Sequence, residues 1–168
     1  MGKIKQIKSL KNPTKTLLDI VKYPEKSLSR TDNEYVEGFD GAWLKQLAIN
    51  MIHTMNCVRG VGLAAPQIGL PLRIAVALIN KQPIVLVNPK ITGHPDNKGV
   101  SIEEACLSCP NETVRIDRWE WIRVDYDTVN GKKEWLQLAG VDAIIVQHEL
   151  DHLDGKTIMD YKDVVPAA

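Results

Sequence analysis

The chain reads as an α+β fold: a single domain of mostly antiparallel strands around a central metal-bearing helix. Three observations lead there. Apolar residues recur at spacings of three and four in two segments, one early and one late in the chain. Between them lie short β-favouring runs punctuated by turn residues. The late helical segment also carries His148-Glu149-Leu150-Asp151-His152, an H-E-x-x-H pattern. Residues at i and i+4 share a helical face, so both imidazoles reach one metal ion, and Glu149 beside them can move a proton.

The elements follow in order. Residues 1–15 are polar and irregular and form a loose basic arm. Leu17 to Val21 is a short strand or turn, and Ser27 to Asn33 is loop. Asp40 caps a helix running to about Cys57, with Trp43, Leu44, Leu47, Ala48, Met51, Ile52 and Met55 on its apolar face. Gly60 to Gly69, with Pro66, is a loop with special backbone demands. Strands are expected over Arg73 to Ile79 and Ile84 to Val87, joined by Asn80-Lys81-Gln82-Pro83, with a loop over residues 92–101. Glu103 to Pro110 reads as a turn-like stretch. Val114 to Tyr126 reads as one long strand whose phase slips at Trp119-Glu120-Trp121, a bulge. Asn130-Gly131 turns the chain into Glu134 to Leu138. The last helix spans Val141 to Leu153, with Gly155 at its C′ position.

At 168 residues the chain fits one domain, 1–168, with room for a sizeable core. Charge is balanced at 21 basic against 21 acidic side chains, which gives no overall surface for DNA or membrane. The first 30 residues are the exception: eight Lys or Arg against Asp19 and Glu25, a net of +6. That segment is a solvated face, or an arm for transient contact with a polyanion such as ribosomal RNA. No apolar stretch approaches the roughly 20 residues that span a bilayer, and no secretory signal follows Met1. Three cysteines, Cys57, Cys106 and Cys109, are too few for a disulfide scaffold and suit a reducing, cytoplasmic compartment.

Two histidines do not complete a catalytic metal site, which usually takes three protein ligands and keeps one position open. A downstream third ligand is disfavoured. In the extended pattern H-E-x-x-H-x-x-G-x-x-H the glycine matches Gly155, but the last position holds Ile158, and no glutamate follows Glu149. Asp154, Asp160 and Asp163 lie very close to the helix end. Upstream candidates are His53, His94, Cys57, Cys106 and Cys109. In its bland reading His53 is a half-buried polar group, His94 a solvent-exposed loop residue and Cys57 a small core residue. A Cys/His/His site fits the chemistry, and spacing alone leaves open which cysteine joins the histidines.

Three motifs together resemble those of the peptide deformylases. They are Gly60-Val61-Gly62-Leu63-Ala64-Ala65-Pro66-Gln67, Glu104-Ala105-Cys106-Leu107-Ser108, and Gln147-His148-Glu149-Leu150-Asp151-His152 followed by Leu153-Asp154-Gly155. The likeness extends from about residue 17 to 162. It implies a metal-dependent hydrolase removing the N-formyl group from N-formylmethionyl nascent peptides. It further implies Cys106, His148 and His152 as metal ligands, Glu149 as general acid/base, and Gln67 with the backbone N–H of Leu107 as oxyanion donors. Gly62 would lie beside the substrate backbone, with Val61, Ala105, Leu107 and Ile145 around the substrate. The implied cofactor is one divalent metal ion, ferrous iron physiologically, with zinc, nickel or cobalt as substitutes; the implied state is a monomer. An ion pair between Glu104 and Arg118 would support the Cys106 loop, whereas Asp151 and Gln147 read by default as outward or helix-packing polar residues. The chain departs from the family pattern at Ala105, where glycine is usual. Alanine there either strains the backbone or narrows the cleft. It also stops at Ala168, like short family members without a long C-terminal helix for ribosome docking. The rival readings are a related metallopeptidase or amidase, and a catalytically silent metal-stabilised binding protein.

Overall fold

The computed structural model describes residues 15–38 and 41–162. The basic arm over residues 1–14, the expected cap Asp40, and Asp163 lie outside them. Helix α1 (Gly41–Cys57) is followed by β1 (Gly62–Ala64), β2 (Ile74–Ile79), β3 (Gln82–Gly93), β4 (Val100–Cys106), β5 (Cys109–Arg118), β6 (Trp121–Asp127), β7 (Lys133–Ala139) and helix α2 (Gly140–Leu153). The strands make a five-stranded antiparallel sheet, ordered β1-β2-β3-β6-β7, and a separate β4-β5 hairpin.

Strand β2 shows why the sheet lies between the two helices. Its side chains alternate across the sheet. Ile74 and Val76 pack with Trp43, Leu44, Leu47, Met51 and Met55 of α1, whereas Ala77 and Ile79 pack with Ala143, Ile145, Val146 and Leu150 of α2. Being buried on both faces, β2 reads as a continuous apolar run rather than an alternating one. Helix α2 is likewise buried on most of its circumference, which is how a central helix keeps charged groups out of water.

Four expectations about strands and their connections are corrected. The β2–β3 turn is two residues, Asn80 (φ 49) and Lys81 (φ 63), not four, because two successive left-handed residues match the twist of the flanking strands. Pro83 then enters β3 opposite Leu78. The flanking Ile79–Gln82 pair exchanges the hydrogen bonds, so the nitrogen of Pro83 faces away from β2, where β6 does not yet pair. Of the turn-like stretch expected over Glu103 to Pro110 only Leu107-Ser108 is a turn, between β4 and β5, and the loop expected over 92–101 is confined between Gly93 and Val100. Val114 to Tyr126 is two strands, not one with a bulge. The phase slip at Trp119-Glu120 is where the chain leaves the β4-β5 hairpin for the main sheet. That passage leaves the backbone of Trp119 without a ladder partner, and Gln147 supplies one: its Oε1 accepts from Trp119 N (2.9 Å) and its Nε2 donates to Trp119 O (2.9 Å). Gln147 is a buried clamp, not a solvated residue.

Leu17 to Val21 is extended but joins no named strand; Val21 N–H donates to the carbonyl of Gln67 at 2.8 Å. Helix α2 ends as its sequence predicts. Gly155 is left-handed (φ 75), its N–H bonds the His152 carbonyl (3.2 Å), and Lys156 N–H bonds that of Asp151 (2.8 Å). A Cβ on Gly155 would also sit 2.7 Å from the backbone C and O of Arg30. Gly155→Ala is therefore expected to cost about 2–4 kcal/mol, read as a lowered thermal midpoint. A change within error would mean that the Arg30 segment moves freely.

Candidate active site

Helix α2 projects His148 and His152 toward Cys106 at the end of β4. His152 Nε2 lies 3.3 Å from Cys106 Sγ and 3.2 Å from His148 Nε2. Among the described residues these are the only three His, Cys, Asp or Glu side chains grouped closely enough to hold a metal ion, with ligand atoms within 4.8 Å of one another. One soft thiolate and two imidazoles suit zinc or a divalent first-row metal. The backbone of the β4–β5 hairpin positions the sulfur: Cys106 pairs with Cys109 across the tip Leu107-Ser108.

Behind the histidines lies a chain of buried charges. His148 Nδ1 is 2.7 Å from Glu104 Oε2, which directs Nε2 toward the metal position. Arg118 donates to both oxygens of Glu104 (2.7 and 3.0 Å) and to Asp151 (2.6 Å), and Tyr161 donates to Asp151 (3.0 Å). The expected Glu104–Arg118 ion pair is present. Asp151, expected to face outward, instead closes the same network. Burial would raise the Glu104 carboxyl, but Arg118 and His148 outweigh it and hold it at about 2. Burial and the neighbouring His148 keep His152 neutral, the form that ligates a metal.

Glu149 is buried beside the histidines, and burial pushes its carboxyl up to about 7 against the opposing pull of His148. Gln67 faces the cluster. Its Oε1 accepts from Ala64 N–H (2.8 Å), which turns Nε2 toward Ser108 Oγ (3.2 Å) and Cys106 Sγ (3.7 Å). The short turn Ala65–Ile68 after β1, ended by left-handed Gly69, sets that direction.

The polypeptide deformylase family model matches residues 17–165. The chain belongs to the peptide deformylase family. It is 40% identical over 150 residues to the peptide deformylase of Thermodesulfovibrio yellowstonii, covering 86% of this chain and 88% of that one. To the peptide deformylase of Bartonella tribocorum it is 39% identical over 133 residues, 75% of this chain and 74% of that one. The crystal structure of the Thermotoga maritima peptide deformylase superposes with a TM-score of 0.81 at 35% identity, over 86% of this chain and 97% of that one.

The deformylase cleft has a volume of about 370 Å³ and brings the three motifs together. Val61, Gly62, Gln67, Ala105, Cys106, Leu107, Ile145, His148 and Glu149, all expected at the site, line it; His152 lies behind them. Arg59, Ile102 and Ile144 also line it and were missed. Ile144 stands four residues before His148, so helical spacing from the first ligand was the signal that pointed to it. Ile102 lies two strand steps of two before Cys106. Arg59 had no sequence signal.

His53 and Cys57 lie together at the end of α1, 3.7 Å apart, and His94 stacks on Trp119 at 4.0 Å; none of them belongs to the metal cluster. Cys57 is exposed, which corrects its reading as a core residue: burial on α1 stops at Met55, and Asn56 to Val58 face solvent. Cys109 is buried behind Cys106. Ala105 pairs with Thr113 in β4 and is not among the positive-φ residues, so alanine carries no backbone strain there and its methyl simply lines the cleft.

Gly62 leaves room for the Glu149 carboxyl. A Cβ on it would lie 2.1 Å from Glu149 Oε1 and 2.6 Å from Cδ. Gly62→Ala is expected to displace the Glu149 carboxylate and lower kcat about 100-fold while metal content stays intact. Comparable turnover in that variant would show that Glu149 tolerates a second position.

Proposed function

We propose that this chain removes the N-formyl group from N-formylmethionyl peptides, releasing formate, and that Cys106, His148 and His152 hold its metal. One observation carries the reading: the three ligand atoms, the Glu149 carboxyl and the Gln67 amide lie together at a cleft that also offers an apolar wall of Val61, Ile102, Leu107, Ile144 and Ile145. The ligand set fits a divalent ion by its chemistry and by the bond from His148 to Glu104. When bound, such an ion polarises the formyl oxygen and makes water nucleophilic at neutral pH.

The residues of the chain do the rest. Glu149, raised toward neutrality, accepts the proton of the attacking water and returns it to the departing amine as the carbon–nitrogen bond breaks. Gln67 Nε2–H and the backbone N–H of Leu107 donate to the oxygen that gains charge. Val61, Ile102, Leu107, Ile144 and Ile145 take the methionine side chain in the apolar part of the cleft. The Gly60–Gly62 backbone and strand β4 flank the path by which the peptide leaves. A solved peptide deformylase of Acinetobacter baumannii, 32% identical to this chain, binds Met-Ala-Ser, a peptide of the product class.

Ferrous iron is the proposed physiological metal, with zinc, nickel and cobalt as substitutes that the same mixed ligand set accepts. A monomer acting in the cytoplasm, with transient ribosome contact through the basic arm, completes the proposal. No helix of the described residues is long and apolar enough to cross a membrane. The silent-binding alternative loses support because Ala105 is unstrained and because a buried carboxyl at Glu149 is not needed merely to hold a metal.

The test is formate release from formyl-Met-Ala by anaerobically prepared, iron- or nickel-loaded protein with its metal content measured. Turnover at about one metal per chain supports the assignment. Full occupancy without formate would overturn it in favour of a binding protein or another substrate.

A further inference from the structure

Arg59 sits where a glycine would be at ease. Helix α1 ends in the same motif as α2: Gly60 N–H bonds the Met55 carbonyl (2.9 Å), Arg59 N–H bonds that of Asn56 (3.1 Å), and Arg59 takes the left-handed C′ position with φ 56. Helix α2 fills that position with Gly155. An arginine there carries a conformational cost that glycine avoids, and strained side chains concentrate where they serve a ligand. The side chain of Arg59 is exposed and lines the cleft.

The charges around the cleft isolate it. Glu104 is neutralised by Arg118 and His148, and Glu149 is buried. Glu103, on the opposite wall, is held by Arg115 at 3.6 Å. Lys22 Nζ donates to the carbonyl of Leu107 (2.6 Å). Arg59 makes no ion pair among the described residues, and it is the one Lys or Arg among those that line this cleft. Opposite it, the wall is the edge of β4, so a peptide leaving the apolar end passes between Arg59-Gly60-Val61 and residues 102–105.

We propose that Arg59 is a specificity-determining residue, which makes this enzyme favour formylmethionyl peptides carrying an acidic side chain within the two residues after methionine. The inference rests on the deformylase reading of the cleft. Its size is that of a solvent-exposed ion pair, about two- to fivefold in kcat/KM for acidic over basic peptides. The preference resides in KM, because the contact is equally present before and during the reaction.

The experiment compares formyl-Met-Ala-Ser with Asp and Lys variants at its second and third positions, at low and at high ionic strength. The wild type should prefer Asp at low salt and lose the preference at high salt. Arg59→Glu should invert it. Arg59→Gly should abolish it and also melt about 2–4 °C higher, since glycine relieves the left-handed position. Equal rates for Asp and Lys peptides, with the neutral peptide turned over, would overturn this inference and leave the deformylase reading standing. If the neutral peptide is not turned over, that reading fails. Calorimetric affinities of the unformylated peptides Met-Ala-Asp and Met-Ala-Lys then decide the charge preference: tighter binding of the acidic one supports it, equal binding overturns it.

Discussion

Glu149→Gln is expected to retain a full complement of metal and to lose turnover by about 10²–10⁴-fold, the usual worth of a positioned proton carrier. The substitution preserves shape, and the three ligand atoms belong to other residues. What it removes is a group able to hold and release a proton near neutrality. In the folded protein Glu149 is buried and its carboxyl raised to about 7, so it can both take a proton from water and return one to an amine at the same pH. An amide does neither. Formate release and metal analysis on the same sample separate this outcome from simple metal loss. Turnover near the wild-type rate would remove Glu149 from the mechanism as the proton carrier.

Arg118→Leu should be the most destabilising single change at the site, by about 3–5 kcal/mol, or roughly 10 °C in the thermal midpoint. Arg118 is 3% exposed and answers two carboxylates at once. Leucine leaves Glu104 and Asp151 buried without their cation, and that uncompensated charge costs more than the lost packing. The pH dependence checks the cause. Glu104 titrates at about 2 in the fold against an ordinary 4.5, so its ionised form stabilises the native state above pH 4.5. That contribution, about 3 kcal/mol, is lost as pH falls from there through about 2. In Arg118→Leu the folded-state carboxyl moves back toward its ordinary value, so this contribution should shrink and its loss should be complete at a higher pH. Metal affinity should fall about 10–100-fold, because Glu104 no longer holds His148 in one orientation. A variant with unchanged acid stability would mean that His148 alone governs Glu104.

How much of this was legible beforehand varies with the distance over which each feature is decided. The H-E-x-x-H turn fixes its own geometry, because four residues of helix bring His148 and His152 to one face whatever else surrounds them. The C′ glycine after α2 and the Asn130-Gly131 turn are equally local and appear where expected. The division of residues 114–126 between two sheets was not local. The phase slip at Trp119-Glu120 is visible in sequence but fits a bulge equally well, and only the placement of α2, with Gln147 ready to satisfy the backbone of Trp119, lets the chain break there. Cys57 misled for a similar reason: the apolar period of α1 runs to its end, but the last residues, Asn56 to Val58, are left exposed.

Residue types alone supply the chemistry: two imidazoles, a carboxylate, a choice of thiols and an amide, the last two assigned through the likeness to a family. Tertiary structure decided which of these groups meet and in what state. It put Cys106 rather than Cys57 or Cys109 beside the two histidines, joined Asp151 to Arg118, made Gly62 the space for Glu149, and stood Arg59 at the cleft. The physical reason is burial. Residue type sets what a side chain can do, but charge state, orientation and partner depend on the water and the neighbours that the fold removes or supplies.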